Sequence, residues 1–231
     1  MAKRDSNIVT MPFGGVDESD QGHLVFGGLL AGVAIGLSGA VYLATSSHDL
    51  GSILFSMGLL LVVTLDYPLY TGRIGGIVES RNPWGYLLSC CVVLICNGLG
   101  AIVTGYLFGV TSVGSTLTET SADIIRKRIE FGPMQPLVSG ILCNGLIYFG
   151  VKGFNIWKDR RNLTGVLALV LCVTTFVRCG FDHCIADLFY IGLGDVSVSE
   201  AGNFIGIVIV GNSVGALVAA LADHGWKRVD F

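Results

Sequence analysis

Long apolar segments separated by short polar links make up most of this chain. The apolar runs are about 20 residues long or more, which is enough for a helix to cross the hydrocarbon core of a bilayer. The pattern predicts an all-α membrane protein with six transmembrane helices. Their approximate ranges are 24–45, 52–80, 84–108, 137–153, 163–193 and 203–222. Residues 110–135 are more polar, and we interpret them as an external amphipathic link.

The second and fifth predicted spans contain residues that interrupt a helix. Asp66 and Pro68 lie in the second span, where proline removes a backbone donor, and Gly180 and Asp182 lie in the fifth. We expect both helices to be broken at mid-membrane, where non-helical backbone is tolerated only inside protein or beside a cavity. The half-helix after each break presents free N–H groups and a partial positive charge, which suit an anion. We expect Asp66 and Asp182 to cap these half-helices.

The two halves of the chain are similar. The third span contains Asn97-Gly98-Leu99-Gly100-Ala101, and the sixth contains Asn212-Ser213-Val214-Gly215-Ala216. Three spans in each half place the halves in opposite orientations, so we predict inverted repeats at about 24–109 and 137–222, as in an aquaporin-like protomer. Interrupted helices at matching positions indicate the substrate site. The repeats form one channel domain, 23–222, between cytoplasmic tails at 1–22 and 223–231.

Composition and charge fit a membrane protein. Mean hydropathy is +0.70, and 13% of residues are charged, against about 25% in soluble domains. A net charge of −3 without a basic patch argues against nucleic-acid binding. Lys and Arg are concentrated on one side, which predicts a multi-pass protein of the cell (inner or plasma) membrane with both termini cytoplasmic. That side holds Lys3, Arg4, Arg73, Arg81, Lys152, Lys158, Arg160, Arg161, Lys227 and Arg228, and the opposite side holds Arg126, Lys127 and Arg128.

The cysteines do not suggest a disulfide framework or a metal site. All seven lie in predicted spans. Cys179, His183 and Cys184 resemble metal ligands in type, but no second cluster completes a tetrahedral set. An enzyme using Cys179, His183 and Asp187 is disfavoured because no extramembrane substrate domain accompanies them. We therefore predict no enzymatic activity, no metal and no cofactor.

Four motifs resemble the formate/nitrite transporter family over most of residues 24–222. The segment Gly180-Phe181-Asp182-His183-Cys184-Ile185-Ala186-Asp187-Leu188-Phe189 is similar to the family's G-F-E-H-S-I-A-N-M-F. The other matches are Gly140-Ile141-Leu142-Cys143-Asn144 with G-I-L-C-N, Leu69-Tyr70-Thr71-Gly72 with L-F-T and a small residue, and Gly211-Asn212 with G-N. The chain departs from the family at Asp66-Tyr67-Pro68 (G-A-D), Tyr70 (Phe), Gly145 (often bulky) and Arg178 (small).

The resemblance implies a homopentamer with a pore through each protomer. In the family, two apolar constrictions flank a central histidine, here His183, and the matched polar neighbours are Thr71 and Asn144. The matched cytoplasmic constriction is Leu59, Leu69 and Tyr70, and the periplasmic one is Phe55, Ile147 and Phe176. The permeant anion would be formate, nitrite or hydrosulfide.

A proton-linked pathway follows from the cost of moving a bare anion through an apolar constriction. A neutral acid crosses far more easily than its anion, and histidine gains or loses a proton near physiological pH. We expect an anion to be stabilised or protonated through His183. Arg178 either pairs with Asp182 or Asp195 or lies near the external vestibule. The alternative is an aquaglyceroporin-like pore, although its N-P-A motif is missing and the single Asn82-Pro83 lies outside the breaks.

Overall fold

The computed structural model describes residues 22–157, 163–194 and 196–226, and all regular structure in these ranges is helical. The predicted all-α class is therefore confirmed. A π-helical turn, His23–Gly27, leads into α1 (Gly28–Ala44), and a 3₁₀ helix, Ile74–Glu79, follows α3. The other helices are α2 (His48–Thr64), α3 (Tyr70–Arg73), α4 (Pro83–Gly109), α5 (Ser112–Glu130), α6 (Met134–Trp157), α7 (Thr164–Arg178), α8 (Cys184–Leu193) and α9 (Val198–Trp226). Most of both predicted tails, the basic loop 158–162 and Asp195 lie outside the described residues.

Four stretches within the described ranges are long and apolar enough to cross a membrane. They are His23–Ala44, Pro83–Gly109, Met134–Trp157 and Ala201–Trp226. Three shorter apolar helices, α2, α7 and α8, accompany them. The predicted external link is helical as α5 and buries one stripe, which includes Ser121 and Ile125.

The chain reverses in the same way after α2 and after α7. Asp66 and Gly180 both take positive φ angles, 57° and 69°. Glycine adopts this conformation without strain, and aspartate tolerates it better than most residues. The next N–H group then bonds a carbonyl five residues back: Tyr67 to Val62 and Phe181 to Phe176, each at 2.9 Å. Two matching turns of this kind close the ends of both helices.

All four residues predicted to interrupt helices lie in these two connections. Asp66 and Pro68 lie between the end of α2 and the start of α3, and Gly180 and Asp182 lie between α7 and α8. The short helices beyond the connections pack inside the molecule. α8 contacts α4 and α5, whereas α3 contacts α4 and α6.

Glycines let the long helices cross with their backbones in contact. On α1, a Cβ added to Gly32 would collide with the carbonyl of Asn97 on α4. On α9, a Cβ added to Gly215 would collide with the carbonyl of Ile141 on α6. Small residues at such crossings are the usual means of packing helices in a membrane, where no hydrophobic effect drives the helices together. These two contacts help to set the positions of α4 and α9 beside the connections that follow α2 and α7.

We expect Gly215→Ala to destabilise the protein, because overpacking against backbone costs about 1–3 kcal/mol. Gly206→Ala is the matched control on the same helix, since a Cβ there meets no atom within 4 Å. Thermal unfolding in detergent should show a lower Tm for Gly215→Ala and an unchanged or higher one for Gly206→Ala. Equal effects of the two substitutions would contradict the crossing geometry.

Candidate functional site

A buried asparagine, Asn97 on α4, holds the first interruption. Its Oδ1 accepts a hydrogen bond from the backbone N–H of Tyr70 at 2.8 Å. Its Nδ2 donates to the carbonyls of Gly28 at 2.7 Å and Pro68 at 3.0 Å. One amide side chain therefore forms hydrogen bonds with the start of α3, with the connection before it and with the neighbouring helix α1.

Asn212 on α9 holds the second interruption in the same manner. Its Oδ1 accepts from the N–H of Cys184 at 3.0 Å, and its Nδ2 donates to the carbonyls of Gly140 at 2.9 Å and Asp182 at 3.0 Å. The N–H of Asp182 donates to the hydroxyl of Ser139 at 2.7 Å. Position by position, these partners correspond to those of Asn97. The same hydrogen-bond pattern therefore occurs in both halves of the chain.

The expected capping by Asp66 and Asp182 was wrong. No side chain caps α3 from its N-cap position, Leu69, and the residue that caps α8 is His183. Asp66 is exposed on the turn before α3, whereas Asp182 points its carboxylate at an arginine. The asparagines supply from a distance what the aspartates were expected to supply locally.

His183 is buried, and its two ring nitrogens have different partners. Nδ1 accepts a hydrogen bond from the N–H of Ala186 at 3.1 Å. Nδ1 therefore carries a lone pair, and the hydrogen of the neutral ring lies on Nε2. Nε2 lies 3.1 Å from the hydroxyl of Thr71, to which it donates. The structure thus brings together the predicted pair His183 and Thr71, one from each interrupted segment.

Aromatic rings line the cavity beside His183. Phe176 stacks on the imidazole with ring centroids 5.9 Å apart, and Phe55 meets Phe176 edge to face at 6.0 Å. Tyr42 extends the series by an edge contact with Phe55 at 6.4 Å. All four rings border this cavity. Ile147, the third member of the predicted constriction, is buried in the core and does not border it.

A second cavity is bordered by Leu59 and Leu69, two members of the other predicted constriction. The third member, Tyr70, does not border it. The Tyr70 hydroxyl lies 2.7 Å from that of Ser213, which itself donates to the carbonyl of Ile209 at 2.6 Å. Ser213 therefore accepts from Tyr70, and this bond turns the ring towards α9.

Asn144 is linked to the His183 segment through Asn212. Its Nδ2 donates to the backbone carbonyl of Asn212 at 2.7 Å. Its Oδ1 is buried and has no hydrogen-bond partner among the described residues. That oxygen can only accept a hydrogen bond, so it suits the O–H or S–H of a neutral acid and not a bare anion.

Sequence reasoning missed a buried ionic cluster. Arg128 on α5 pairs with Asp182 at 3.1 Å and also bonds Asp187. The signal was present in α5, because Ser121, Ile125 and Arg128 follow helical spacing and the first two are buried. An arginine on the buried stripe of an amphipathic helix needs an acid, and Asp182 and Asp187 were available.

Arg178 does not pair with Asp182. Its Nε donates to Asp49 at 2.6 Å, and both side chains are exposed. This pair lies at the chain entry to α2, near the Tyr42 hydroxyl that bonds His48 at 3.0 Å. Asp195, the other partner considered, lies outside the described residues.

A family sequence model described as "Formate/nitrite transporter" matches residues 17–224. One similar protein is the "Uncharacterized transporter YrhG" of Bacillus subtilis (strain 168), 28% identical over 74% of this chain and 68% of its own. Another is the "Formate channel FocA" of Haemophilus influenzae (strain ATCC 51907 / DSM 11121 / KW20 / Rd), 23% identical over 74% of this chain and 66% of its own. The chain therefore spans about two thirds of the length of these relatives, and both are named as a transporter or channel.

Two solved structures share the fold. An "FNT family ion channel" superposes with a TM-score of 0.79 and 15% identity, covering 91% of this chain and 92% of that one. A "Pentameric formate channel with formate bound" superposes with a TM-score of 0.69 and 22% identity, covering 92% and 97%. At these identities the likeness establishes the fold.

We expect Asn212→Ala to destabilise the protein strongly. It removes the acceptor of the Cys184 N–H and the donor to the carbonyls of Gly140 and Asp182, and leaving a buried polar group without its partner costs about 1–3 kcal/mol. Asn203→Ala is the control, an exposed asparagine on the same helix. Thermal unfolding in detergent should separate the two variants by many degrees. If Asn212→Ala matched the control, the interruption would not depend on this amide.

Proposed function

Since the chain belongs to the formate/nitrite transporter family, we propose that it forms a channel for small monovalent anions of weak acids, namely formate, nitrite or hydrosulfide. The observation that carries the proposal is the bond between His183 and Thr71. The Thr71 hydroxyl accepts from Nε2–H, so its own hydrogen is free to be donated to an anion. This donor is bonded to His183, whose ring stacks on Phe176, and the bond joins the two interrupted segments.

An anion that enters this site loses its hydration water and gains very few hydrogen-bond partners. Full desolvation of an ion costs far more than two or three hydrogen bonds return. We therefore propose that the anion crosses the constrictions as its neutral acid or together with a proton. In this proposal Leu59 and Leu69 on one side and Phe55 and Phe176 on the other form the apolar barriers, whereas Tyr70 and Ile147 do not border these cavities.

The geometry of His183 favours a hydrogen-bonding role over a titrating one. Adding a proton to Nδ1 would place an N–H group against the N–H of Ala186, which now donates to that nitrogen. Protonation of the imidazole would therefore remove the side-chain hydrogen bond that caps α8. We propose that His183 stays neutral, orients the Thr71 hydroxyl towards the anion, and leaves the proton to another group.

The proposed topology is six membrane spans in two inverted repeats. α2 with α3 and the 3₁₀ helix would form one span, and α7 with α8 another, each broken at mid-membrane. The corresponding hydrogen bonds of Asn97 and Asn212 and the matching turns at Asp66 and Gly180 support this arrangement. The proposed location is the inner or plasma membrane, with both termini cytoplasmic, as the distribution of Lys and Arg predicts.

The proposed assembly is a homopentamer with one pore in each protomer. An exposed apolar stripe along α4 supports contact with lipid and neighbouring protomers, and its members follow helical spacing. They are Leu88, Ile95, Leu99, Val103 and Tyr106. The solved formate channel that shares the fold is titled pentameric.

Uptake into liposomes tests the anion and the role of the histidine. We expect the protein to admit at least one of formate, nitrite and hydrosulfide, with uptake rising as pH falls. His183→Ala should lower uptake roughly tenfold or more, because hydrogen bonds to charged groups contribute about 1.5–3 kcal/mol. Asn203→Ala, on the exposed surface, should leave uptake unchanged.

His183→Asn separates the helix cap from titration. Its Oδ1 takes the place of Nδ1 and can still cap α8, but the side chain ends one bond short of Nε2 and does not titrate. We expect this variant to keep the pH response. Loss of that response with uptake retained would assign the proton to His183. Passage of water or glycerol without any of the three anions would instead support the neutral-solute pore.

Chemical cross-linking tests the assembly. In membranes, we expect a ladder of products that ends at the pentamer. A ladder that stops at the dimer or trimer under exhaustive cross-linking would contradict the proposed assembly.

A further inference from the structure

The buried cluster of Arg128, Asp182 and Asp187 is unbalanced in charge. The Arg128 side chain is 18% exposed, and those of Asp182 and Asp187 are 0% and 1% exposed. A single guanidinium thus faces two carboxylates. With both acids ionised the cluster would carry one uncompensated negative charge in the protein interior, which proteins avoid by pairing or by protonation.

The α8 N-terminus does not supply the missing positive charge by direct bonds. The N–H of Cys184 donates to Asn212, that of Ala186 to the His183 ring, and that of Asp187 itself to the His183 carbonyl at 2.9 Å. These donors of the first turn are therefore engaged with groups other than the two carboxylates.

The titratable groups that face Asp187 from neighbouring elements, other than Arg128 and Asp182, are neutral hydroxyls, thiols and an imidazole. They are Tyr42 on α1, Cys143 on α6, His183 at the start of α8, and Cys184 and Tyr190 on α8. The guanidinium carbon of Arg128 also lies over the Tyr190 ring, 5.9 Å from the ring centroid. Within the described ranges, Arg128 is the cation that interacts with Asp187.

One oxygen of Asp187 is available for exchange. Oδ1 bonds Arg128, whereas Oδ2 is buried and has no hydrogen-bond partner among the described residues. Asp187 borders the cavity that also contains His183 and Phe176. Within the same ranges, no group of three His, Cys, Asp or Glu side chains could hold a metal ion. The ligand that suits this oxygen is therefore a proton.

We propose that the Arg128–Asp182–Asp187 cluster holds one exchangeable proton and that Asp187 delivers it to the anion in the cavity beside His183. The inference rests on the proposed function and adds the proton donor to it. The O–H bond of the Asp187 acid breaks, a new O–H or S–H bond forms on the anion, and the neutral acid leaves. The carboxylate left behind stays paired with Arg128 until water on the open side of the cavity returns the proton.

Infrared spectroscopy of the purified protein detects the proton without any transport. At neutral pH we expect the C=O stretch of a protonated carboxyl, shifted in D2O and missing from Asp187→Asn. Asp123→Asn, an exposed acid on α5, should keep the band. Asp182→Asn is the second variant, and it should also lose the band because Arg128 then faces a single carboxylate. A wild type without the band, or an Asp187→Asn protein that keeps it, would overturn the proposal.

Proton counting in proteoliposomes tests the delivery step. With a pH dye inside, one proton should enter with each formate, nitrite or hydrosulfide in the wild type and in Asp123→Asn. In Asp187→Asn the ratio of protons to anions should fall roughly tenfold, since the remaining buried acid pairs one-to-one with Arg128. The residual anion flux should then respond to membrane potential.

The results separate the two proposals. If the wild type carries none of the three anions, the proposed function fails. If it carries anions and Asp187→Asn keeps the wild-type proton ratio, the proposed function stands and the assignment of the proton to this cluster is wrong.

Discussion

The structure depends on one constraint: backbone polar groups buried in an apolar interior must all find partners. A helix pairs these groups within itself. An interrupted helix exposes N–H and C=O groups where no water is present to form hydrogen bonds with them. Asn97 and Asn212 supply the partners at both interruptions, each using one acceptor and two donors. A short apolar side chain would supply none of these three hydrogen bonds, and an aspartate would lack the donors. The residue type at these two positions is thus dictated by the geometry of the break.

The neutral form proposed for His183 follows from these hydrogen bonds. Because Asn212 fixes the first turn of α8, the Ala186 N–H is directed at Nδ1, and Nε2 is left to meet Thr71 on the other segment. The imidazole therefore joins the two halves of the chain through a directed hydrogen bond. A histidine that must hold a helix end with one nitrogen is poorly suited to accept a proton there, which separates orientation of the anion from protonation.

Local signals allowed the ends of α2 and α7 and the family to be predicted, whereas the hydrogen-bond and ionic partners of the residues at these ends could not be. Pro68 and Gly180 change the backbone by their own chemistry, so the sequence around them indicated where the helices end. The asparagines that bond the first N–H groups of α3 and α8 lie 27 and 28 positions away in the sequence. The ion pairs of Arg128 span 54 and 59 positions. Nearest-acid reasoning offered Asp182 or Asp195 as partners for Arg178, but the fold brings α5 over α8 and pairs Asp182 with Arg128. Such distant pairings depend on how the helices pack, which the periodicity of one segment does not specify.

Placing an acid pair beside an anion path would be unfavourable if both carboxylates were charged, because the second negative charge would repel the permeant ion. Arg128 removes that difficulty for one carboxylate, and a proton removes it for the other. In the proposed mechanism, the cluster is neutral while the proton is held, and the anion meets no net repulsion. Once the proton leaves with the anion, the restored negative charge opposes entry of a second anion until a proton returns. The same imbalance that makes Asp187 a proton donor would therefore keep anion and proton movement in step.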